Sequence, residues 1–187
     1  MGDRGASDER IAITPNRILV TGANGAGKSH FAARLAALGP EYSLISFDAL
    51  KLTTCWEQRP RKDIEAALQT HLDRERWIVE GGPSMLPLAL PKADMLIWLD
   101  PPIWKRAMRL LTRPIRNRGK TRDELPPGNV DWPLEQYGFA VRSLWKHWTF
   151  RKAVGNALRE SSDALVVRCK TEDEIGCVLA RFARQQR

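Results

Sequence analysis

The chain has 187 residues, 43% of them apolar, which suits one domain with a sizeable core and excludes collagen-like, disordered and membrane-embedded classes. Lys and Arg number 30 against 22 Asp and Glu, a formal charge of +8 that points to an anionic partner. The whole surplus lies in one stretch, because Lys105, Arg106, Arg109, Arg113, Arg116, Arg118, Lys120 and Arg122 occur with no acidic residue among them.

Residues 1–15 read as a polar tail and 16–187 as the folded domain. Residues 1–10 mix acids and bases without the apolar run of a secretory signal, and Ala6 stands where a myristoylation signal needs Ser or Thr. From residue 16, short apolar runs alternate with segments of helical period, the pattern of an α/β protein with a mostly parallel sheet. The run 17–21 predicts a strand that passes through a glycine-rich turn into a helix carrying Phe31, Leu35 and Leu38, stopped by Gly39-Pro40. A second strand is predicted over 42–47, closing at Asp48. Ile64, Leu68 and Leu72 at i, i+4, i+8 predict a helix that leads to a strand over 77–80, broken by Gly81-Gly82-Pro83.

The fourth strand is expected at 95–99, the longest apolar run and far below the roughly 20 residues of a membrane-spanning helix. After Asp100-Pro101-Pro102, Ile103, Ala107, Leu110 and Leu111 repeat at helical spacing as far as Pro114. Asp131 and Pro133 read as an N-cap and first-turn proline, and Leu134, Tyr137, Val141, Leu144, Trp145 and Trp148 as one apolar stripe of a helix weakened near Gly155. That stripe favours a core role for Trp145 and Trp148 over base stacking. A last strand over 164–168 precedes the capping box Thr171 to Glu174 and a helix with Ile175, Val178, Leu179 and Phe182 inward.

Gly22-Ala23-Asn24-Gly25-Ala26-Gly27-Lys28-Ser29 matches G-x-x-x-x-G-K-[ST] between a predicted strand and a predicted helix. Glycines let successive N–H groups point at one anion, and the helix adds its positive end. Lys28 then reaches the β- and γ-phosphates, and the Ser29 hydroxyl joins the shell of a Mg²⁺ ion. A chance match in a chain of this length has odds on the order of 1%. The expected nucleotide-binding set is Gly22, Ala23, Asn24, Gly25, Ala26, Gly27, Lys28, Ser29 and His30, with ATP and Mg²⁺ as the cofactors.

In a parallel sheet the strand C-termini form the ligand crevice, which makes Asp48 either a group that receives or orients an acceptor hydroxyl or an N-cap. Glu80, at the end of the third strand, either holds a water of the Mg²⁺ ion or plays a structural part, capping the turn or pairing with an arginine. Asp100 reads as structural. The basic stretch lacks the mixed signs of a solvated helix face and reads as a lid, about 105–128, whose Arg113, Arg116, Arg118 and Arg122 stabilise a transferring phosphoryl group. A second basic strip, Arg142, Lys146, His147, Arg151 and Lys152, either extends an acceptor site or covers the outside. His30, His71 and His147 show no metal-ligand spacing, and Cys55, Cys169 and Cys177 form no C-x-x-C pair, which fits a reducing cytoplasm.

The succession of phosphate loop, Ser-Phe-Asp48, Trp-Ile-Val-Glu80-Gly-Gly, Leu-Ile-Trp-Leu-Asp100-Pro-Pro and Arg-x-Arg118-Gly-Lys-Thr-Arg122 resembles small P-loop proteins related to adenylate kinase and often labelled DNA topology modulation proteins. The resemblance covers roughly residues 16 to 183. It implies a three-layer nucleoside-kinase-like fold, a five-stranded parallel sheet in the order 2-3-1-4-5 with a basic helical lid, and nucleoside-triphosphate binding. Glu80 stands where such proteins tend to have Asp, and Gly82 where Asn is frequent.

The leading expectation is therefore a small ATP-dependent kinase acting on a nucleotide or metabolite. The alternative is a nucleotide-binding regulator or weak ATPase that contacts nucleic acid through its basic lid, with no helix-turn-helix, zinc-finger or RNP pattern to support it. No membrane partner is expected. A GTPase switch is disfavoured by the absence of an Asn-Lys-x-Asp or Thr-Lys-x-Asp segment, and large ring ATPases by length and the missing Asp-Glu pair.

Overall fold

A computed structural model describes residues 15–116, 126–129, 133–160 and 163–186, with the side chains of Arg116 and residues 133–135 excepted. Residues 1–14 of the tail expected over 1–15, the N-cap Asp131 and the lid residues Arg118 and Arg122 fall outside the described residues.

Five parallel strands form one sheet in the order β2-β3-β1-β4-β5, as the resemblance implies. They are β1 (Arg17–Gly22), β2 (Ser43–Ser46), β3 (Trp77–Gly81), β4 (Met95–Leu99) and β5 (Leu165–Cys169). The helices are α1 (Lys28–Leu38), α2 (Phe47–Lys51), α3 (Arg61–Leu72), α4 (Leu86–Ala89), α5 (Ile103–Arg116), α6 (Pro133–Trp145), α7 (His147–Glu160) and α8 (Glu172–Gln185).

The alternation of side chains along β1 explains why both faces need a helical layer. Ile18 and Val20 face one core with Ile78, Ile97, Phe31, Leu35, Ile175, Leu179 and Phe182. Leu19 faces the other, with Val79, Leu96, Trp77, Leu68, Leu72, Leu86 and Val154. Each fully buried aliphatic or aromatic chain contributes about 1.5–3 kcal/mol, which makes this three-layer sandwich the anchor for everything at the strand ends. In register, Val20 lies between Glu80 and Ile97, and Gly22 beside Leu99, so one edge of the sheet collects the chemistry-bearing residues.

Several boundaries differ from the sequence pattern. β2 ends at Ser46, whose hydroxyl caps α2 by accepting from Ala49 N–H, so Asp48 sits in a helical first turn and not at a strand end. α5 runs through Pro114, because a proline in the last turn removes one bond to the Leu110 carbonyl without stopping the helix. Its pattern is also inverted: Leu110 is buried, while Ile103, Trp104, Met108, Leu111 and Ile115 are exposed.

The tryptophan-rich segment is two helices broken at Lys146, and Gly155 does not end the second. Trp145 and Trp148 are 86% and 73% exposed and belong to no core; Gln136, Ala140, His147 and Val154 take the inward positions.

Asp100, at the end of β4, is structural in its contacts. It is buried, accepts from Arg151 Nε and Nη2 at 3.2 and 2.8 Å, and pairs with Arg168, whose guanidinium lies 4.3 Å from the Trp98 ring centroid. Asp100→Ala leaves two cations over the sheet edge without their shared carboxylate. We expect a loss of about 2 kcal/mol in denaturant unfolding, discounted because both arginines reach solvent; a shift under about 0.5 kcal/mol would contradict this role.

Candidate phosphate-binding site

The glycine-rich turn needs its glycines for three separate reasons. A Cβ on Gly22 would lie 2.6 Å from the Leu99 carbonyl oxygen, so close packing of β1 on the end of β4 excludes any side chain. Gly25 and Gly27 have φ of 80° and 97°, the left-handed region that L side chains avoid. A Cβ on Gly25 would also press against Leu110 Cγ at 2.9 Å. The loop thereby curls, with Ala26 N–H donating to the Ala23 carbonyl at 2.9 Å, and runs into α1. The first intrahelical bond, Phe31 N–H to the Gly27 carbonyl at 3.0 Å, leaves the N–H groups of Lys28, Ser29 and His30 ahead of it. Lys28 is buried, and His30 is exposed.

Two arginines of α5 hold the loop from behind. Arg106 Nε donates to the Asn24 carbonyl at 3.0 Å, and Arg109 Nη1 to the Ala26 carbonyl at 2.9 Å and more weakly to that of Gly25 at 3.4 Å. Arg109 also pairs with Glu172 at 2.6 Å. The inverted pattern of α5 follows from this: Arg106 and Arg109 face backbone carbonyls, and Ile103, Trp104, Met108, Leu111 and Ile115 face out.

Glu80 lies under the loop. It accepts from Ser46 Oγ at 2.7 Å and Ser29 Oγ at 3.3 Å through Oε1, while Oε2 is buried with no partner among the described residues. Burial pushes its carboxyl pKa up, opposed by the Lys28 charge and by the two serine hydroxyls. Thr21 Oγ1 donates to the Gly81 carbonyl at 3.1 Å beside it. A hydroxyl and a buried carboxylate oxygen that lacks a donor are the hard-oxygen pair that suits a hydrated Mg²⁺, so Ser29 and Glu80 fit that ion.

Asp48 is on the same rim. It is half-exposed, 3.6 Å from Lys51 Nζ, and its charge acts on Glu80. Arg113 lies further along α5, donates to Gln136 Oε1 at 2.9 Å and stacks 6.0 Å from the Phe139 ring centroid. Arg116 is placed by its backbone alone at the end of α5.

The structure thus gathers Gly22 to His30 with Glu80, and sets Asp48 beside them. Ser46, Arg106 and Arg109 belong to the constellation without having been singled out. Ser46 carried a signal, a Ser two residues before the rim aspartate, whereas nothing in the pattern of α5 says which arginines turn inward.

A cleft of about 340 Å³ opens beside the loop, lined by Ala23, Asn24 and Pro83 on the sheet side and by Phe139, Arg142, Lys146 and Phe150, among others, from α6 and α7. Among the described residues no helix is long and apolar enough to cross a membrane.

Five strands in this order, with the glycine-rich turn at the end of the central one, define the P-loop kinase fold. The chain is similar to shikimate kinase from Acinetobacter baumannii in complex with shikimate, at 17% identity and a TM-score of 0.56, over 96% of this chain and 98% of that one. It is similar to a gluconokinase from Sinorhizobium meliloti 1021 at 18% identity and a TM-score of 0.50, over 92% and 94%. An uncharacterized protein from Eubacterium ventriosum matches at 14% identity and a TM-score of 0.50, over 88% and 96%. No family model matches the chain, and no curated protein matches it in sequence.

The burial of Glu80 generates a pH prediction. The fold favours its protonated form, so unfolding releases a proton, and wild type loses stability as pH rises from the ordinary carboxylate range through the raised value. Glu80→Gln removes that loss. Without divalent ions, the melting temperature of Glu80→Gln relative to wild type should climb with pH across that window; a constant difference would contradict the assignment.

Proposed function

We propose that the chain is an ATP-dependent phosphotransferase acting on a small anionic acceptor. The observation that carries this is the loop of residues 22–29 curled at the strand end, with Lys28 buried beside Glu80 and a cleft opening against Ala23 and Asn24. Loop amides and Lys28 grip the triphosphate, and Ser29 and Glu80 hold Mg²⁺, which when bound neutralises charge on the β- and γ-phosphates. The acceptor hydroxyl attacks the γ-phosphorus in line. Its O–P bond forms as the bridging bond to the β-phosphate breaks, and ADP leaves with the electron pair. Asp48 orients that hydroxyl and receives or relays its proton. Arg113, Arg116, Arg118 and Arg122 stabilise the transferring group.

Arg142 and Lys146 give the cleft a cationic edge that meets no carboxylate among the described residues, and Phe139 and Phe150 give it flat apolar walls. That combination selects an acceptor with a ring and a negative charge, such as a nucleotide or a cyclic hydroxy acid. A reducing cytoplasm is the setting, and adenylate-kinase-related proteins labelled DNA topology modulation proteins are the relatives this reading favours.

One observation favours the regulator instead. Trp145 and Trp148 are exposed beside Lys146 and Lys152, with the Arg151 guanidinium 5.5 Å from the Trp148 ring centroid, an arrangement on which unpaired bases stack.

ATP turnover measured against a panel of nucleotides, sugars and hydroxy acids separates the two. The kinase reading predicts acceptor-stimulated turnover, lost about a hundredfold or more in Lys28→Ala. It also predicts a raised acceptor KM with little change in ATP affinity in Arg142→Ala. Salt-sensitive nucleic-acid binding with no acceptor dependence would favour the regulator. Turnover unchanged in Lys28→Ala would reject the kinase.

A further inference from the structure

Arg106 is an unusual core residue. It is 1% exposed, and no carboxylate of the described residues lies within ion-pair distance of it. A buried cation without a paired charge is expensive, and packing alone would be met better by Leu or Met. Among the described residues it makes two hydrogen bonds, Nε to the Asn24 carbonyl at 3.0 Å and Nη1 to His147 Nδ1 at 2.7 Å, and its buried Nη2 has no partner. A guanidinium only donates, so His147 accepts through Nδ1 and keeps its proton on Nε2.

A trans peptide is planar, with its C=O and N–H on opposite sides. Fixing the Asn24 carbonyl toward α5 therefore fixes the Gly25 N–H toward the opposite side. Arg109 does the same to the peptide that joins Ala26 and Gly27. These are N–H groups of the loop that meets the phosphates. Asn24 also lines the cleft, and His147 opens α7 between the cleft residues Lys146 and Thr149.

We propose that Arg106 and His147 act as a pair of positioning residues that set the Gly25 amide for phosphate binding, with neutral His147 as the necessary acceptor. The inference rests on the phosphotransferase reading only for its nucleotide arm. His147 is faced by Arg106 from α5, by Arg151 from its own helix, by Asp100 from the end of β4, and by the edge of the Trp148 ring. Burial, then Arg151 and Arg106, hold its pKa below the ordinary imidazole range, with Asp100 opposing. Protonation would set an N–H against an N–H and release the Arg106 side chain.

The test has two readouts on the full chain: backbone ¹⁵N order parameters of Gly25 and Gly27 without nucleotide, and calorimetric MgATP affinity between pH 5 and 8. His147→Asn keeps an acceptor near the Nδ1 position and should stay within about twofold of wild type. His147→Leu and Arg106→Met should both lower the order parameter at Gly25 and weaken MgATP by about tenfold. Their double variant should lose no more than Arg106→Met alone.

Glu80 protonation weakens MgATP in both proteins, so wild-type affinity should fall more steeply than that of His147→Asn as pH drops through the lowered His147 pKa. Should Arg106→Met fail to fold, the two His147 variants and the pH profile decide. Lowered order at Gly25 in the variants of a wild type that binds no MgATP would uphold the positioning and sink the phosphotransferase reading. MgATP binding with order parameter, affinity and pH profile all unchanged in His147→Leu would overturn the proposal.

Discussion

The closeness with which β1, β4 and α5 approach one another at the phosphate loop governs the rest of the molecule. Gly22 lies so near the Leu99 carbonyl that no Cβ fits, and Gly25 packs on Leu110 and the backbone of α5. With the loop pressed against backbone on one side and helix on the other, its carbonyls are oriented by Arg106 and Arg109, and amides of the same peptides are left for an anion. The two cores beneath keep that geometry from relaxing, because shifting β1 would disturb contacts on both faces of the sheet.

Charge follows from the same constraint. A segment with eight cations and no anion would repel itself as a solvated helix. α5 turns three of them, Arg106, Arg109 and Arg113, to a backbone carbonyl, to carbonyls plus Glu172, and to Gln136. The positive surplus is thereby concentrated beside the site where a triphosphate would bring negative charge. Glu80 is the counterweight below the loop, a carboxylate held by two serines and by the field of Lys28 at the cost of burial.

Much of this was legible in the residues. The phosphate loop is a local motif whose backbone demands are written in its glycines, and the strands betray themselves by apolar runs flanked by helical periods. The strand over 95–99 and the capping box at Thr171 lie where the pattern sets them. What escaped depended on partners distant in sequence. α5 has apolar residues at helical spacing, but the sheet end offers it carbonyls, so its arginines face inward. Trp145 and Trp148 fit one stripe only if the helix is continuous, and it breaks at Lys146. Asp48 moved into a helix because Ser46 supplies a cap one residue before Phe47. His147, of no evident role in a linear reading, gains one from a residue 41 positions away.

The central claim is that residues 22–29 form the anion-binding nest of a nucleotide site. Titrating ¹⁵N-labelled protein with MgATP while following backbone amide resonances addresses it most directly. Saturable shifts led by Gly25, Gly27, Lys28 and Ser29 are expected, with Glu80 and Ser46 following. Saturable binding that leaves those four amides unmoved, or no shifts at all at millimolar nucleotide, would contradict it.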